Sequence, residues 1–240
     1  LRKVQFYPGE LYHIYNRGNA KQDIFYNDGD RYRFLQAIYL SNNSDCSVRL
    51  SELEKNKSGH TLADIKKVLN SGKFFCNPLV KINADVLMSN HFHLLVEELQ
   101  EKGISRFMQR LGNSYGKYFA IKYERPGSVF QGRFKAVQIK NDDQLRYLLA
   151  YINVINPAQL IEPRIKERGI ENLEKILEII NKYSWSTHFE YMGKRESALI
   201  DKGLLGEIFP TSEIYYKFIK EILRGKKDIW SIIEEKLTLE

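Results

Sequence analysis

Two strand-like segments separated by only two residues constrain the fold of this chain more than any other feature. Residues 79–88 (LVKINADVLM) and 91–99 (HFHLLVEEL) are mostly apolar, and only Ser89-Asn90 lies between them. A connection of two residues joins antiparallel strands in a tight hairpin. The sequence therefore predicts an antiparallel sheet in which His91 and His93 open the second strand of a hairpin.

The segments around this hairpin alternate between strand and helix patterns. They are, in chain order, a strand at 11–17, a helix at 30–40, a helix at 104–119, a strand within 128–140, and a helix that Asn141 caps and Pro157 ends. The order β-α-ββ-α-β-α is that of an α+β, ferredoxin-like split βαβ fold, with helices on one face of the sheet. Gly112 and Gly116 are expected to let the second helix approach that sheet closely.

The domain organisation follows from the same patterns. We predict one domain over 1–160, which contains a polar, partly helical insertion at about 41–77, and a helical C-terminal extension over 161–240. Cys46 and Cys76 are the only cysteines, which excludes a disulfide-rich scaffold. No apolar run is long enough to span a bilayer, and the polar start is no signal peptide, so we expect a cytoplasmic protein without a membrane partner.

The charge balance indicates a polyanionic partner. The net charge is +7, and nine Lys or Arg residues lie between Lys102 and Lys140 against a single acid, Glu124. Aromatic residues alternate with these cations. Basic residues contact phosphates and aromatic rings stack on unpaired bases, so the pattern favours a single-stranded nucleic acid, although most of the aromatics are expected in the core.

The pair His91 and His93 is the first candidate for chemistry. Residues i and i+2 of a strand point to the same face about 6.5–7 Å apart, so both imidazoles can bind one divalent cation. The alternative is that they are ordinary polar residues of a half-exposed strand. Their place at the start of a central strand favours a ligand pair.

A second candidate is Tyr151, on the helix that follows Asn141. The apolar face of that helix comprises Leu145, Leu148, Leu149 and Ile152. Tyr151 lies about 100° from the centre of this face, so its hydroxyl can reach a site beside the sheet. Tyr147, one turn earlier, is the strongest competitor, and both are otherwise ordinary boundary tyrosines.

Together these segments resemble a known family. The motifs SNHFHLLVEE, YGKYFAIKYERPGSVFQGRFKA and YLLAYINVINP, with YHIYNRGNAKQDIF near the start and YSWSTHFEYMG near the end, are similar to the single-tyrosine HUH transposases. The closer resemblance is to their insertion-sequence-200-like and REP-associated tyrosine transposase group. It covers roughly residues 12–193, apart from 41–77.

The resemblance implies a metal-dependent single-stranded DNA endonuclease and strand-transferase. His91 and His93 would bind Mg²⁺ or Mn²⁺, and Tyr151 would attack phosphorus to form a 5′-phosphotyrosine bond and a free 3′-OH. Hairpin-containing single-stranded DNA would be the partner, and a homodimer is possible. No P-loop is present, as expected of a reaction that stores the phosphodiester energy in the tyrosine link.

The third metal ligand departs from the family pattern. Family members place Asn or Gln four residues after the tyrosine, whereas this chain has Ile155 there and Asn156 at the fifth position. In an ideal helix Asn156 would lie about 140° from Tyr151, away from the site. The residue before a proline is biased out of helical geometry, so a wide turn at Asn156-Pro157 would restore it, and we therefore predict Asn156 as the third ligand.

Remaining residues have weaker assignments. Phosphate contacts are predicted for six cations: Arg17, Arg106, Arg110, Lys117, Arg133 and Lys135. His13 is expected to be structural or to contact a phosphate, and His188 to be a packing residue.

Two other functions stay open. One is a catalytically impaired single-stranded nucleic-acid-binding protein on the same scaffold, if the third ligand is missing. The other is a small metal-dependent hydrolase, which would need a carboxylate near the metal, with Glu97 as the candidate.

Overall fold

The computed structural model describes residues 4–44 and 77–225, and within them a four-stranded sheet lies at the centre. Residues 45–76, which hold most of the predicted insertion together with Cys46 and Cys76, lie outside the described residues, as do residues 226–240 of the predicted C-terminal extension. The strands are β1 (Leu11–Arg17), β2 (Val80–Leu87), β3 (His91–Glu98) and β4 (Lys135–Gln138). The longer helices are α1 (Asp28–Ser41), α2 (Gly103–Lys122), α3 (Asp142–Ala150), α6 (Leu173–Ile180) and α9 (Ser212–Arg224). The short ones are α4 (Asn156–Ala158), α5 (Ile165–Arg168), α7 (His188–Tyr191) and α8 (Leu204–Ile208).

The strand order β2-β3-β1-β4, with every neighbouring pair antiparallel, is that of the predicted ferredoxin-like sheet. The predicted hairpin is present, because β2 and β3 pair antiparallel across Ser89-Asn90. The fold class predicted from the sequence is confirmed. One strand is shorter than predicted: within 128–140 only Lys135–Gln138 forms a ladder, and Gly132 before it has a left-handed φ of 67° that interrupts extended backbone.

The two faces of the sheet pack on different parts of the chain. Helices α1 and α2 cover one face, where Phe34 and Phe107 join Phe92 in a continuous apolar cluster. The sequence predicted helices on a single face of the sheet, whereas both faces are covered. The opposite face is covered by α3 and by helices that follow residue 160, whose buried members include Ile176 and Tyr215. The boundary near 160 stays a prediction, although packing is continuous across it.

A buried carboxylate joins α1 to α2. Asp30 is fully buried and accepts hydrogen bonds from Tyr118 (2.7 Å), Tyr123 (2.7 Å) and Lys122 (2.6 Å). It also closes a capping box with Asn27 at the start of α1. Burial alone would raise the pKa of Asp30, but these hydrogen bonds together hold it below its ordinary value. Tyr118 and Tyr123 therefore hold α1 against α2. They lie on the face of the sheet opposite His91 and His93.

Among the described residues, no helix is both long enough and apolar enough to cross a membrane.

The glycines of α2 do not have the predicted role. A Cβ built at Gly112 or Gly116 meets no atom within 4 Å, so neither glycine permits a close approach to the sheet. At Gly103 the same Cβ would lie 2.3 Å from the carbonyl oxygen of Leu79. Close backbone approach therefore occurs at the first residue of the helix and not at its middle.

These contrasting environments predict opposite effects of one substitution. Gly112→Ala should raise the free energy of unfolding by roughly 0.5–1 kcal/mol, because alanine restricts the unfolded chain and favours the helix. Gly103→Ala should lower it, because the methyl group collides with backbone that cannot move aside. Urea unfolding followed by circular dichroism measures both, and equal effects at the two positions would contradict this placement of α2.

Candidate metal and nucleophile site

The histidine pair lies on the sheet face that α3 covers. On β3, His91 is opposite Arg17 of β1 and His93 is opposite Tyr15. The ring centroids of the two histidines are 5.1 Å apart. The i, i+2 geometry predicted from the sequence is therefore present. His93 is only 5% exposed, whereas His91 is half-buried at the end of the sheet.

The orientation of His91 is fixed by its neighbour in the hairpin turn. The side-chain amide of Asn90 donates to the carbonyl oxygen of Lys21 (3.2 Å), which leaves Asn90 Oδ1 facing His91 Nδ1 at 2.6 Å. An amide oxygen only accepts, so this network assigns the imidazole proton to Nδ1. The Nε2 lone pair of His91 then points away from the turn.

A widened helical turn follows Tyr151. Residues Tyr151–Ile155 form a π-helical turn, in which the backbone N–H of Asn156 donates to the carbonyl oxygen of Tyr151, five residues earlier. The extra residue in this turn returns Asn156 to the side of the helix on which Tyr151 lies. Pro157 favours the wide turn, because it has no N–H and its ring would crowd the carbonyl of Asn153.

Two details of the sequence prediction are wrong here. Asn156 keeps right-handed helical angles (φ −59°, ψ −52°), so the turn widens without the residue before proline leaving the helix. Pro157 does not end the helix either, because α4 continues through Ala158. The helix tolerates the proline since the wide turn has already broken the usual hydrogen-bond pattern.

His91 and Asn156 meet through two atoms that both accept hydrogen bonds. The amide NH₂ of Asn156 donates to the carbonyl oxygen of Tyr151 (2.9 Å), so Asn156 Oδ1 faces His91 Nε2 at 3.1 Å. Burial, the larger influence, lowers the pKa of His91, although the Asn156 oxygen acts in the opposite direction. A neutral His91 therefore presents a lone pair to the lone pair of Asn156.

This donor set fits a divalent cation. Octahedral ligands about 2.1 Å from a metal and at right angles to each other are roughly 3 Å apart, which is close to the observed separation. A cation between the two atoms would replace repulsion between lone pairs by attraction to both. Imidazoles suit transition-metal ions and an amide oxygen suits Mg²⁺ or Mn²⁺, so Mg²⁺ or Mn²⁺ as the bound ion stays a prediction from the family resemblance.

His13 supports His93 from the neighbouring strand. Its Nε2 lies 2.8 Å from His93 Nδ1, and the two rings stack with centroids 5.0 Å apart. Burial lowers the pKa of His13 to about 3 and that of His93 well below its ordinary value, so both rings are neutral at pH 7. If His93 binds a metal through Nε2, its Nδ1–H donates to His13. The sequence suggested a structural or phosphate-binding His13; complete burial excludes phosphate contact in this structure.

Tyr151 is adjacent to the histidines. Its ring meets His93 edge-on with centroids 5.3 Å apart, and only 4% of the residue is exposed. The ammonium of Lys166, on α5, donates to Tyr151 Oη at 3.2 Å. Lys166 was missed from the sequence, because nothing in the pattern of the C-terminal extension points to the tyrosine. Tyr147, the predicted competitor, packs against the apolar cluster of this face.

The predicted phosphate contacts divide between the two sides of the sheet. Arg17 shares the face of His91, where it hydrogen-bonds Gln131, and the Lys135 ammonium lies 5.9 Å from the Tyr15 ring centroid. Arg106 and Arg110 lie on α2, across the sheet, and donate to the carbonyl oxygens of Ser44 and Asn43.

Lys117 is exposed on α2, and Arg133 is exposed before β4. The structure therefore brings only Arg17 and Lys135 near the site, and all six contacts stay predictions.

The carboxylate that a hydrolase would need is remote. Glu97, the candidate, forms an ion pair with Lys81 at 3.1 Å near the far end of β3. In the part of the chain that the structure describes, no group of three or more His, Cys, Asp or Glu side chains is placed to hold a metal. The site thus depends on an asparagine as third donor. His188, the predicted packing residue, is buried elsewhere against Tyr215.

Comparison with known proteins gives a family match over part of the chain. Residues 65–154 match the family model described as "Transposase IS200 like", a segment that includes both histidines and Tyr151 but ends before Asn156. The match covers less than half of the chain, and it agrees with the resemblance that the motifs indicated. No curated protein matches the sequence.

Two solved structures show weaker likeness. One is a REP-associated tyrosine transposase bound to a REP hairpin, at 12% identity and a TM-score of 0.45, covering 84% of this chain and 96% of the other. The second is tRNA(His) guanylyltransferase from Saccharomyces cerevisiae, at 10% identity and a TM-score of 0.30, covering 74% and 73%. Both scores are below 0.5, so the inference of function rests on the family match and the site.

The contact between His13 and His93 predicts an effect on metal binding. His13→Ala removes the acceptor that orients His93, and such outer contacts change metal affinity about 10–100-fold. Mn²⁺ titration by calorimetry should show this loss. Tyr118→Phe is the control, since it removes one hydrogen bond to a buried group, Asp30, on the opposite face of the sheet. Equal affinities in wild type and His13→Ala would contradict the supporting role.

Proposed function

We propose that the protein is a metal-dependent single-stranded DNA endonuclease and strand-transferase with Tyr151 as nucleophile. The observation that carries this proposal is the convergence of Tyr151, His91, His93 and Asn156, which come from two segments about sixty residues apart. The match of residues 65–154 to a transposase family model supports a DNA-processing reaction. The buried, neutral imidazoles are in the protonation state that metal binding requires.

His91 Nε2, His93 Nε2 and Asn156 Oδ1 are the atoms that would hold the cation. A bound divalent ion would polarise the scissile phosphate and offset the negative charge of the transition state. The protein's own contribution is to hold these donors ready. Asn90 orients His91, His13 orients His93, and the Tyr151 carbonyl orients Asn156.

Tyr151 and Lys166 carry the bond-making step. Tyr151 Oη attacks phosphorus, the phenol proton is lost to solvent, and the bond to the 3′-oxygen breaks. That oxygen leaves as a 3′-OH after taking a proton, while the 5′-phosphate stays on the tyrosine. The Lys166 ammonium, 3.2 Å from Oη, stabilises the negative charge that develops as the phenol ionises. The reverse reaction joins a new 3′-OH to the same phosphate.

The substrate is proposed to be single-stranded DNA that contains a hairpin. The chain has a net charge of +7, and Arg17 and Lys135 lie on the face of the site. Cations on that face would follow the phosphates on either side of the scissile bond. The homodimer suggested by the family resemblance stays a prediction.

The rival binding-only function loses its main support in the sequence. It was motivated by the unsuitable spacing of Asn156, and the π-helical turn places that residue beside His91. Whether the assembled site cleaves DNA is a question for an adduct assay.

Tyr151→Phe should eliminate a covalent protein–DNA adduct and leave DNA binding intact, because it removes only the attacking oxygen. The probe is heat-denatured, 3′-labelled genomic DNA fragments with Mn²⁺, and the adduct is detected on a denaturing gel. Tyr147→Phe is the matched control and should retain the adduct. Full adduct yield from Tyr151→Phe, or an adduct mapped to Tyr147 by mass spectrometry, would reject the assignment.

The same assay measures the contribution of Lys166. Lys166→Ala should slow adduct formation at saturating DNA, because it removes the cation beside the attacking oxygen, whereas Lys166→Arg should retain more of the rate. Lys182→Ala, which removes an exposed lysine on the surface, should have no effect. A deficit in Lys166→Ala that disappears at saturating DNA would mean that Lys166 acts only on binding.

A further inference from the structure

A cavity of about 380 Å³ lies at the β2 edge of the sheet, away from the metal and nucleophile site. It is enclosed by α1, the end of β2 and the segment 184–199. The residues that define its chemistry are Tyr32, Asp85, Trp185, Ser186, Glu190 and Arg195. Nothing in the proposed cleavage reaction uses this cavity, which we call the edge cavity.

Asp85 is an unpartnered buried carboxyl in the edge cavity. It is 8% exposed, and no described residue donates a hydrogen bond to its side chain. Only its backbone is bonded, since the N–H of Thr187 donates to the Asp85 carbonyl oxygen at 3.1 Å. Burial, with the nearby charge of Glu190, raises the pKa of Asp85 to about 7, against the opposing effect of Arg195. The Asp85 oxygens are not among the fully enclosed polar atoms that lack a partner, so they open into the cavity, where a ligand can bond them.

The edge cavity is not built for a phosphate. Arg195, its cation, is fully engaged: it donates to both oxygens of Glu190 at 2.5 and 2.7 Å and to the carbonyl oxygens of Ser184 and Ser186. The charges of Arg195 and Glu190 therefore neutralise each other within the wall of the cavity. A free anion would instead meet the carboxyl of Asp85.

The remaining lining combines two aromatic rings with aliphatic residues and one further acid; it includes Tyr32, Trp185, Leu35, Leu87, Leu199 and Glu196. Tyr32 is 58% exposed, and its ring meets Trp185 edge-on with centroids 4.9 Å apart. A planar ring beside a carboxyl able to donate and accept matches an unpaired nucleobase, which stacks through its face and hydrogen-bonds through its Watson–Crick edge.

The edge cavity is separate from the histidine site. Val86 of β2 pairs with His93 and Leu87 pairs with Phe92, so Asp85 and the histidine pair lie on adjacent strands and open to opposite faces. The outer edge of β2 between them is paired, because Val86 forms a bridge with Ser186 and the N–H of Leu87 donates to the carbonyl oxygen of Trp185. A base in the cavity therefore belongs to a part of the DNA strand away from the metal site.

We propose that the edge cavity binds one unpaired base of single-stranded DNA, through hydrogen bonds to the Asp85 carboxyl and stacking against Tyr32 or Trp185. This inference rests on the proposed function only in taking single-stranded DNA as the ligand. It gives the protein a base-reading site separate from its phosphate contacts, and hence a source of sequence preference.

Anisotropy titrations with short oligonucleotides test the proposal. The probes are 12-mers of dA, dC, dT and alternating dT-dG, together with an abasic 12-mer that has the same number of phosphates. Wild type should bind at least one base-containing 12-mer about tenfold more tightly than the abasic one. Asp85→Ala and Tyr32→Ala should each reduce that ratio severalfold and leave the abasic affinity unchanged.

The controls separate this proposal from the cleavage function. Asp85→Ala should fold, since it leaves no described partner unsatisfied, and thermal unfolding checks this. Glu221→Gln, an exposed acid on α9, should not change the ratio. An unchanged ratio in both cavity variants, or an equal loss of abasic affinity, would overturn the base site alone. Failure of wild type to bind any probe would overturn the DNA function and the base site together.

Discussion

The carbonyl oxygen of Tyr151 accepts two hydrogen bonds from Asn156, one from its backbone N–H and one from its side-chain amide, and the site depends on this pair. The backbone bond makes the turn wide enough for the fifth residue to return to the tyrosine's side. The side-chain bond fixes which end of the amide faces His91. In an ordinary α-helical turn, Asn156 would point about 140° away from Tyr151, and no third donor would stand beside the imidazole.

Residues of the C-terminal extension hold this wide turn in place. Asn153 is fully buried, donates to Tyr215 Oη at 3.1 Å and accepts from Thr187 Oγ1 at 2.8 Å. Tyr215 Oη in turn contacts His188 at 3.0 Å. The helical extension therefore anchors the helix that carries the tyrosine against the sheet, and it also supplies Lys166 to the tyrosine hydroxyl.

The sequence predicted the parts of the molecule that local patterns determine. Strand alternation and the Ser89-Asn90 turn placed His91 and His93 on one face, and helical periodicity buried Leu145, Leu148 and Leu149 while leaving Tyr151 at the flank. The π-helical turn was anticipated only as a means to bring Asn156 back, because its cause combines Pro157 with tertiary packing. His91, His93, Tyr151 and Asn156 come together only in the folded chain. Their roles as metal ligands and nucleophile stay predictions.

Contacts between distant segments could not be predicted from the sequence. His13 and His93 are eighty residues apart, and their pairing depends on the register between β1 and β3. Lys166 reaches Tyr151 through a short helix with no distinctive pattern. Arg106 and Arg110 are cations, the residue type that contacts phosphates. In the folded chain they lie on α2, across the sheet from the site, and donate to the carbonyl oxygens of Ser44 and Asn43.

Anomalous scattering from a crystal grown with Mn²⁺ tests the proposed metal site most directly. We expect one anomalous peak within bonding distance of His91 Nε2, His93 Nε2 and Asn156 Oδ1, beside Tyr151. The Asn156→Ala crystal should lose the peak or show much lower occupancy under the same conditions. A wild-type crystal without a peak at this position, or with a peak that does not contact Asn156, would contradict the proposed site.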